Sequence, residues 1–267
     1  MQSYHFLSLF LNLNIRLNSD VLLFFMMIVK LDAIDSTNDY LKDLVRSQSV
    51  ENYAVVTAER QTNGKGQRGS TWSSESGKNL IMSMLIRNFI VADTTMFDLN
   101  IAISLAVQHA LETLEIPKLK IKWPNDIMSD GKKIGGILIE NSFKGDNSIE
   151  SVVGIGLNVN QIEFENLPQA SSLAIISGST FDREIVLNQI VKEIIRYTST
   201  WSINAILLRE QYVDLLFRKD ELTEFQTSDG LFFNGTIKGI GASGRLIVAH
   251  ENKTFLDFDI KEVKMIY

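Results

Sequence analysis

The chain has 267 residues, 45% of them hydrophobic and 22% charged, with a formal net charge of −6. That is the balance of a folded protein with one large domain, or one domain and a small appendage, and its acidity speaks against a general nucleic-acid binder, which presents a basic surface. The absence of cysteine removes disulfides, thiolate metal sites and a cysteine nucleophile, and fits the cytoplasm.

Residues 1–27 read as an apolar extension. Its two apolar runs, 6–13 and 21–28, are separated by Asn14, Arg16, Asn18 and Asp20, and neither reaches the roughly 18–20 residues that cross a bilayer. The opening carries no Lys or Arg and no small-residue cleavage site follows, so a signal peptide fits poorly and no membrane partner is expected. Met26 and Met27 immediately precede a patterned strand, Ile28-Val29-Lys30-Leu31, which points to a translation start at one of these methionines.

From residue 28 onward strands and helices alternate. Ser36 or Thr37 caps a helix running to about Ser47, with Asp39 three residues after Ser36 in a capping-box arrangement. Strands are expected at 54–58 and 79–86, and apolar residues at helical spacing mark a helix over 97–114. Short strands follow at 119–123, 127–129, 133–141 and 149–159. Their tight connections, including Asp130-Gly131 and Gly145-Asp146, imply antiparallel pairing. A helical region covers 182–216. Beyond a boundary near 217, short strands separated by Gly-containing turns suit a small SH3-like β-barrel over 218–267. The fold class is α+β: a mixed, largely antiparallel sheet flanked by helices over 28–217, with the barrel behind it.

Between the strands at 54–58 and 79–86 lies Gly64-Lys65-Gly66-Gln67-Arg68-Gly69. The spacing matches a dinucleotide fingerprint, but a loop and a strand follow rather than a helix. The loop instead suits a backbone anion nest, with Lys65 and Arg68 as added cations. Ser36-Thr37-Asn38 serves either as a plain helix cap or as a set of hydroxyl and amide groups for a small polar ligand. Gln61, donor and acceptor at once, suits an amide- or urea-like group. In Lys122-Trp123-Pro124-Asn125-Asp126, a rigid turn at a strand end would offer Asp126 to a phosphate-bound Mg²⁺ and Lys122 to an anion. Gly135-Gly136 and Gly154-Ile155-Gly156 lie on neighbouring strands and suggest a shared slot, since strand glycines often mark close approach. Lys133 at its edge is either an exposed charge or a carboxylate partner. His5, His109 and His250 are too scattered for a metal or catalytic site.

Taken together, Ser36-Thr37-Asn38, Gln61 through Gly69 with Trp72, Lys122 through Asp126, Lys133 with Gly135-Gly136, and Gly154 through Asn158 resemble the biotin protein ligase family in order and spacing. The resemblance implies a class II synthetase-like catalytic domain, a C-terminal SH3-like barrel, and ATP-dependent activation of biotin followed by transfer to a lysine of a biotin carboxyl carrier domain. It assigns biotin to Ser36, Thr37, Asn38, Gln61, Lys65, Gly66, Gln67, Lys133, Gly135 and Gly136. ATP falls to Gly64, Lys65, Arg68, Gly69, Trp72, Asn125, Asp126, Gly154, Gly156 and Asn158, and Mg²⁺ to Asp126. Lys133, Lys122, Asp126 and Arg68 would carry the catalytic charge. Where many members have Gly-Arg-Gly-Arg in the loop, this chain has Gly64-Lys65-Gly66-Gln67, which keeps one cation but not its fork geometry. The segment before residue 28 does not suit a helix-turn-helix, so no operator binding is expected. By analogy a homodimer is open to the family, and lipoate–protein ligase is the alternative reading.

Overall fold

The computed structural model describes residues 7–17, 20–90, 94–145, 148–165 and 167–267, with the side chains of residues 7–25 and of Arg68 left aside. The opening residues through 6, the Gly145-Asp146 turn and the position of the Arg68 side chain fall outside that description.

The chain opens with an antiparallel hairpin of β1 (Leu7–Leu17) and β2 (Asp20–Ile34). The strand expected at 28–31 thus extends further back, passing through Met26 and Met27 without a break, and Met26 is buried. Helix α1 (Thr37–Ser47) crosses to β3 (Val55–Gln61), which lies parallel to β2. The glycine loop follows and contains a single 3₁₀ turn at Gln67–Gly69. After β4 (Leu80–Arg87) comes α2 (Met96–Thr113), whose first turn closes a full capping box between Thr95 and Asp98.

The short strands are β5 (Leu119–Lys122), β6 (Asp126–Ser129), β7 (Lys132–Phe143) and β8 (Ile149–Leu157). They pair antiparallel, as their tight connections require, and complete an eight-stranded sheet in the order β1-β2-β3-β4-β8-β7-β6-β5. The β2–β3 pair is the one parallel neighbour relation among its described pairings.

A short α3 (Leu173–Ser177), not expected from the sequence, precedes the helical region, which resolves into α4 (Arg183–Ser199) and α5 (Trp201–Asp214), divided at Thr200. Helices α2, α4 and α5 cover one sheet face and form the large core with β4, β7 and β8. Helix α1 closes a smaller apolar cluster with Val29, Leu31, Val56 and Leu85 on the other face. No helix among the described residues is long and apolar enough to cross a membrane.

Residues 215–217 run back along the β5 edge, where Phe217 N–H donates to Ile121 O at 2.8 Å. The second sheet then forms from β9 (Leu222–Thr227), β10 (Phe232–Ile240), β11 (Leu246–His250), β12 (Phe255–Phe258) and β13 (Val263–Ile266), in the order β12-β11-β10-β9-β13. This antiparallel unit has the strand content of the expected SH3-like barrel.

The turn 123–125 between β5 and β6 fastens the two sheets together. The Trp123 indole N–H donates to Gly244 O of the β10–β11 connection at 2.9 Å. Pro124 O accepts from Asn100 Nδ2 of α2 at 2.6 Å and from Tyr212 Oη of α5 at 3.0 Å. The Trp123–Pro124 peptide is cis. Tyr212 is fully buried, and burial pushes its phenol pKa upward, so it stays a donor. Trp123→Phe should leave Gly244 O buried without its donor. We expect a loss of about 1–3 kcal/mol in urea unfolding, the cost of an unpaired buried acceptor, whereas an unchanged midpoint would show that the junction is held elsewhere.

Candidate active site

A cavity of about 630 Å³ opens between the eight-stranded sheet, the glycine loop and the edge of the barrel. Its size suits a small-molecule site, and its two ends differ in chemistry.

One end is polar and uncharged. β2 and β3 run parallel, so the turn after β2 and the last residue of β3 emerge side by side. Gln61 Oε1 accepts from Thr37 N at 2.8 Å and from Thr37 Oγ1 at 3.1 Å, and its amide Nε2 lies beside Gly64. Ser36 is the N-cap of α1, accepting from Asp39 N–H at 3.4 Å. The cap and the cavity wall are thus the same residue. Asn38 is fixed by Glu140 Oε2, 2.7 Å from its Nδ2. Ser83 Oγ lies 2.7 Å from Thr37 Oγ1 and 2.6 Å from Asn38 Oδ1. Ser36, Thr37, Asn38 and Ser83 are all buried. Ser83 escaped the sequence reading, although a lone hydroxyl inside the apolar run Leu80-Ile81-Met82-Ser83-Met84 was a signal for it.

The other end is cationic. Lys122, Lys133, Lys261 and Lys264 line the cavity with Asp126 as its lining carboxylate, while Lys65, also in the lining, pairs with Asp39 of α1 at 2.5 Å. Lys122 and Asp126 are cross-strand partners on β5 and β6. Asp126 Oδ1 meets Lys133 Nζ at 2.6 Å, and Oδ2 meets Lys122 Nζ at 3.4 Å. The Lys122 ammonium also sits 5.1 Å from the ring centre of Tyr267, and Lys133 sits 5.9 Å from that of Trp72. Burial, helped by the Asp126 charge, pushes the Tyr267 phenol pKa up. Lys261, Lys264 and Met265 come from the barrel, which the sequence reading treated as an appendage.

The glycine slot exists, but this chain's own side chains enter it. A Cβ on Gly156 would stand 2.4 Å from Trp72 Cε2, and one on Gly154 would stand 2.5 Å from Asn38 Oδ1. Trp72 lies over β8 and β7, and its buried indole N–H finds no acceptor.

Of the residues singled out from the sequence, Ser36, Thr37, Asn38, Gln61, Lys65, Gly66, Gln67, Trp72, Lys122, Asn125, Asp126, Lys133, Gly136, Gly154 and Gly156 all line the cavity. Gly64, Gly69, Gly135 and Asn158 do not. Asn158 is buried with its Nδ2 donating to Ser171 O at 2.9 Å, which ties the end of β8 to the segment before α3. Gly64 is spent on the loop's own fold, accepting at its carbonyl from Trp72 N–H at 2.9 Å. Gly69 stands in the left-handed region at φ 84°, a turn position. Gly135 packs against Gly156 O and Leu157. Asn125 turns its amide to Ile137 O, bracing β7.

This cavity, with a helix-capping polar turn at one end and lysines around one aspartate at the other, has the form of a site for a small molecule with a polar head and an anionic end. Residues 31–158 match the model of the Biotin/lipoate A/B protein ligase family. The chain is similar to that family over those residues, and the curated relatives it matches include biotin protein ligases. It is 34% identical over 165 residues to the bifunctional ligase/repressor BirA of Bacillus spizizenii, covering 60% of this chain and 50% of that protein. It is 32% identical over 162 residues to the biotin–[acetyl-CoA-carboxylase] ligase of Mycobacterium tuberculosis, covering 60% of this chain and 59% of that one. The chain therefore spans about half the length of the curated relatives it matches. The solved structure of the Aquifex aeolicus biotin protein ligase in complex with biotin and ATP superposes with a TM-score of 0.74 at 26% identity, over 90% of this chain and 98% of that one.

Gly156→Val should force the Trp72 indole off β8. We expect a red-shifted tryptophan emission and loss of ligand binding at the cavity with the fold retained by circular dichroism, whereas an unmoved emission would mean that Trp72 does not depend on the bare glycine.

Proposed function

We propose that this protein activates biotin with ATP as biotinyl-5′-AMP and transfers the biotinyl group to a lysine of a biotin carboxyl carrier domain. The observation that carries the reading is the two-ended cavity. An uncharged hydrogen-bonding end suits the ureido ring of biotin, and a lysine-rich end suits a carboxylate meeting a triphosphate. Biotin and ATP are bound by the similar Aquifex protein, and the substrate pair is carried over from it.

In this reading the Gln61 amide and the Ser83–Thr37–Asn38 network hold the ureido group, each donor and acceptor already oriented by its neighbour. Lys133 exchanges Asp126 for the biotin carboxylate. A carboxylate oxygen then attacks the α-phosphorus of ATP, the bond to the β-phosphate oxygen breaks, and pyrophosphate leaves. Two anions must approach for this to happen, and Lys122, Lys133 and Lys65 offset their repulsion and stabilise the charge that develops. In the second step the neutral amine of the acceptor lysine attacks the anhydride carbonyl, releasing AMP and a proton. No enzyme nucleophile is required, in keeping with the absence of cysteine. Trp72 and the loop 64–72 cover the anhydride and keep water from it.

Among the described residues no group of three or more His, Cys, Asp or Glu side chains gathers around a metal position. The donor set fits a Mg²⁺ carried on phosphate oxygens and completed by Asp126, since magnesium prefers one or two carboxylates beside substrate phosphates. When bound it would neutralise phosphate charge.

The test is to incubate the full chain with biotin, Mg·ATP and a biotin carboxyl carrier domain and to weigh the carrier by intact-mass spectrometry. A biotin-sized gain on one lysine is expected, falling at least about 100-fold in rate for Lys133→Ala, the size of effect seen when one charge-stabilising donor is removed. No gain with biotin, but a gain with lipoate on its own carrier, would move the assignment to the lipoate branch.

A further inference from the structure

Glu140 stands one step beyond the cavity wall. β7 carries Gly136 and Leu138 into the lining, and side chains two residues apart share a strand face, so Glu140 lies further along that face, where it meets α1. Its Oε2 accepts from Asn38 Nδ2 at 2.7 Å and its Oε1 from Lys42 Nζ at 2.9 Å.

Asn38 is buried and lines the cavity, with its Oδ1 over the bare backbone of Gly154. By shape alone its amide could sit either way round. Two neighbours remove the choice. A carboxylate paired with a lysine only accepts, and so does the Leu138 carbonyl, 3.5 Å from the same Nδ2. The NH₂ must therefore face β7, which turns Oδ1 to Ser83 Oγ at 2.6 Å. An amide oxygen cannot donate, so the one Ser83 proton is spent there. Thr37 then supplies the proton for the 2.7 Å contact between Ser83 and Thr37. The protons run in one direction, from Thr37 to Ser83 to Asn38 to Glu140. The second lone pair of Asn38 Oδ1 is left to the cavity as an acceptor.

We infer that Glu140 is a positioning residue that acts through Asn38, holding the amide so that the cavity wall presents an acceptor and selects a ligand with an N–H group at that point. The inference rests on the reading of this cavity as a biotin site, since the ureido ring carries two N–H groups. Glu140→Gln would turn the amide over. Lys42 needs an acceptor, so the new side chain gives it the oxygen and offers NH₂ to Asn38. The Asn38 NH₂ is then driven toward Ser83 and the cavity.

The experiment compares the wild type, Glu140→Gln and Glu140→Gln/Lys42→Met as full chains. For Glu140→Gln the KM for biotin should rise roughly ten- to hundred-fold, the loss when one buried donor–acceptor match is broken. The kcat should stay within about two-fold, the pattern of lost ground-state binding. Removing Lys42 as well frees the glutamine to turn its oxygen to Asn38, so the double variant should recover most of the affinity. A simple ion pair between Glu140 and Lys42 would give no such rescue. Discrimination against biotin analogues with one ureido N–H replaced by a ring oxygen should shrink in Glu140→Gln. An unchanged KM, a rise that the second substitution does not relieve, or an unchanged discrimination would overturn the inference. A ligand-free readout separates it from the functional reading: the side-chain NH₂ resonance of Asn38, assigned by its loss in Asn38→Asp, should move upfield in Glu140→Gln and return in the double variant. If the wild type binds no biotin, the functional reading fails, while a moving resonance keeps the role of Glu140 and an unmoved one ends it.

Discussion

The carbonyl oxygen of Pro124 is where three separate parts of the chain are made to agree. It takes a hydrogen bond from Asn100 on α2 and another from Tyr212 on α5, while the neighbouring Trp123 indole reaches the barrel at Gly244. A buried carbonyl with two good donors is satisfied, and each donor loses if the turn shifts. The residues flanking this turn are Lys122 and Asp126, so the charged end of the cavity inherits its rigidity from helices that touch no ligand. The barrel is part of the same arrangement, because it clamps the turn and supplies Lys261 and Lys264 to the cavity wall.

The polar groups of the site are largely held by one another. Gln61 Oε1, the Thr37 hydroxyl, Ser83 and Asn38 satisfy one another, and Asp126 holds both Lys122 and Lys133. Unpaired buried charges would be far more costly than these exchanges. Each of these groups is thus oriented by its neighbour, and a ligand would bind there largely by exchanging partners. The indole N–H of Trp72 is the exception, buried with no acceptor.

The chain's local signals carried much of this. Alternating apolar residues and Gly-containing turns gave the antiparallel run β5–β8, and the absence of a helix after Gly69 separated the loop from a dinucleotide fold. Contacts between distant segments were not legible. The glycines at 154 and 156 announce a close approach, but not that Asn38 and Trp72 make it, since nothing local records which side chain a sheet will meet across some eighty residues or more. Lys65 reads as a phosphate cation until the geometry brings Asp39 beside it. Asn158 matched a motif, but its bond to Ser171 O, which ties the end of β8 to the segment before α3, was not part of that signal. Lys264 looked like one more surface lysine of a small barrel because its placement depends on how that barrel docks.

The single parallel alignment in the sheet has a consequence for how the polar end is specified. Ile34 pairs with Gln61 across β2 and β3, so the turn at Ser36 and the amide at Gln61 are neighbours only because that register holds. Side chains alternate faces along a strand, so a slip of one residue would carry Gln61 to the far side of the sheet and present Arg60 in its place. The buried pairs at Val29 and Val56 set that register. The chemical selectivity of the pocket is therefore encoded partly in valines that no ligand approaches.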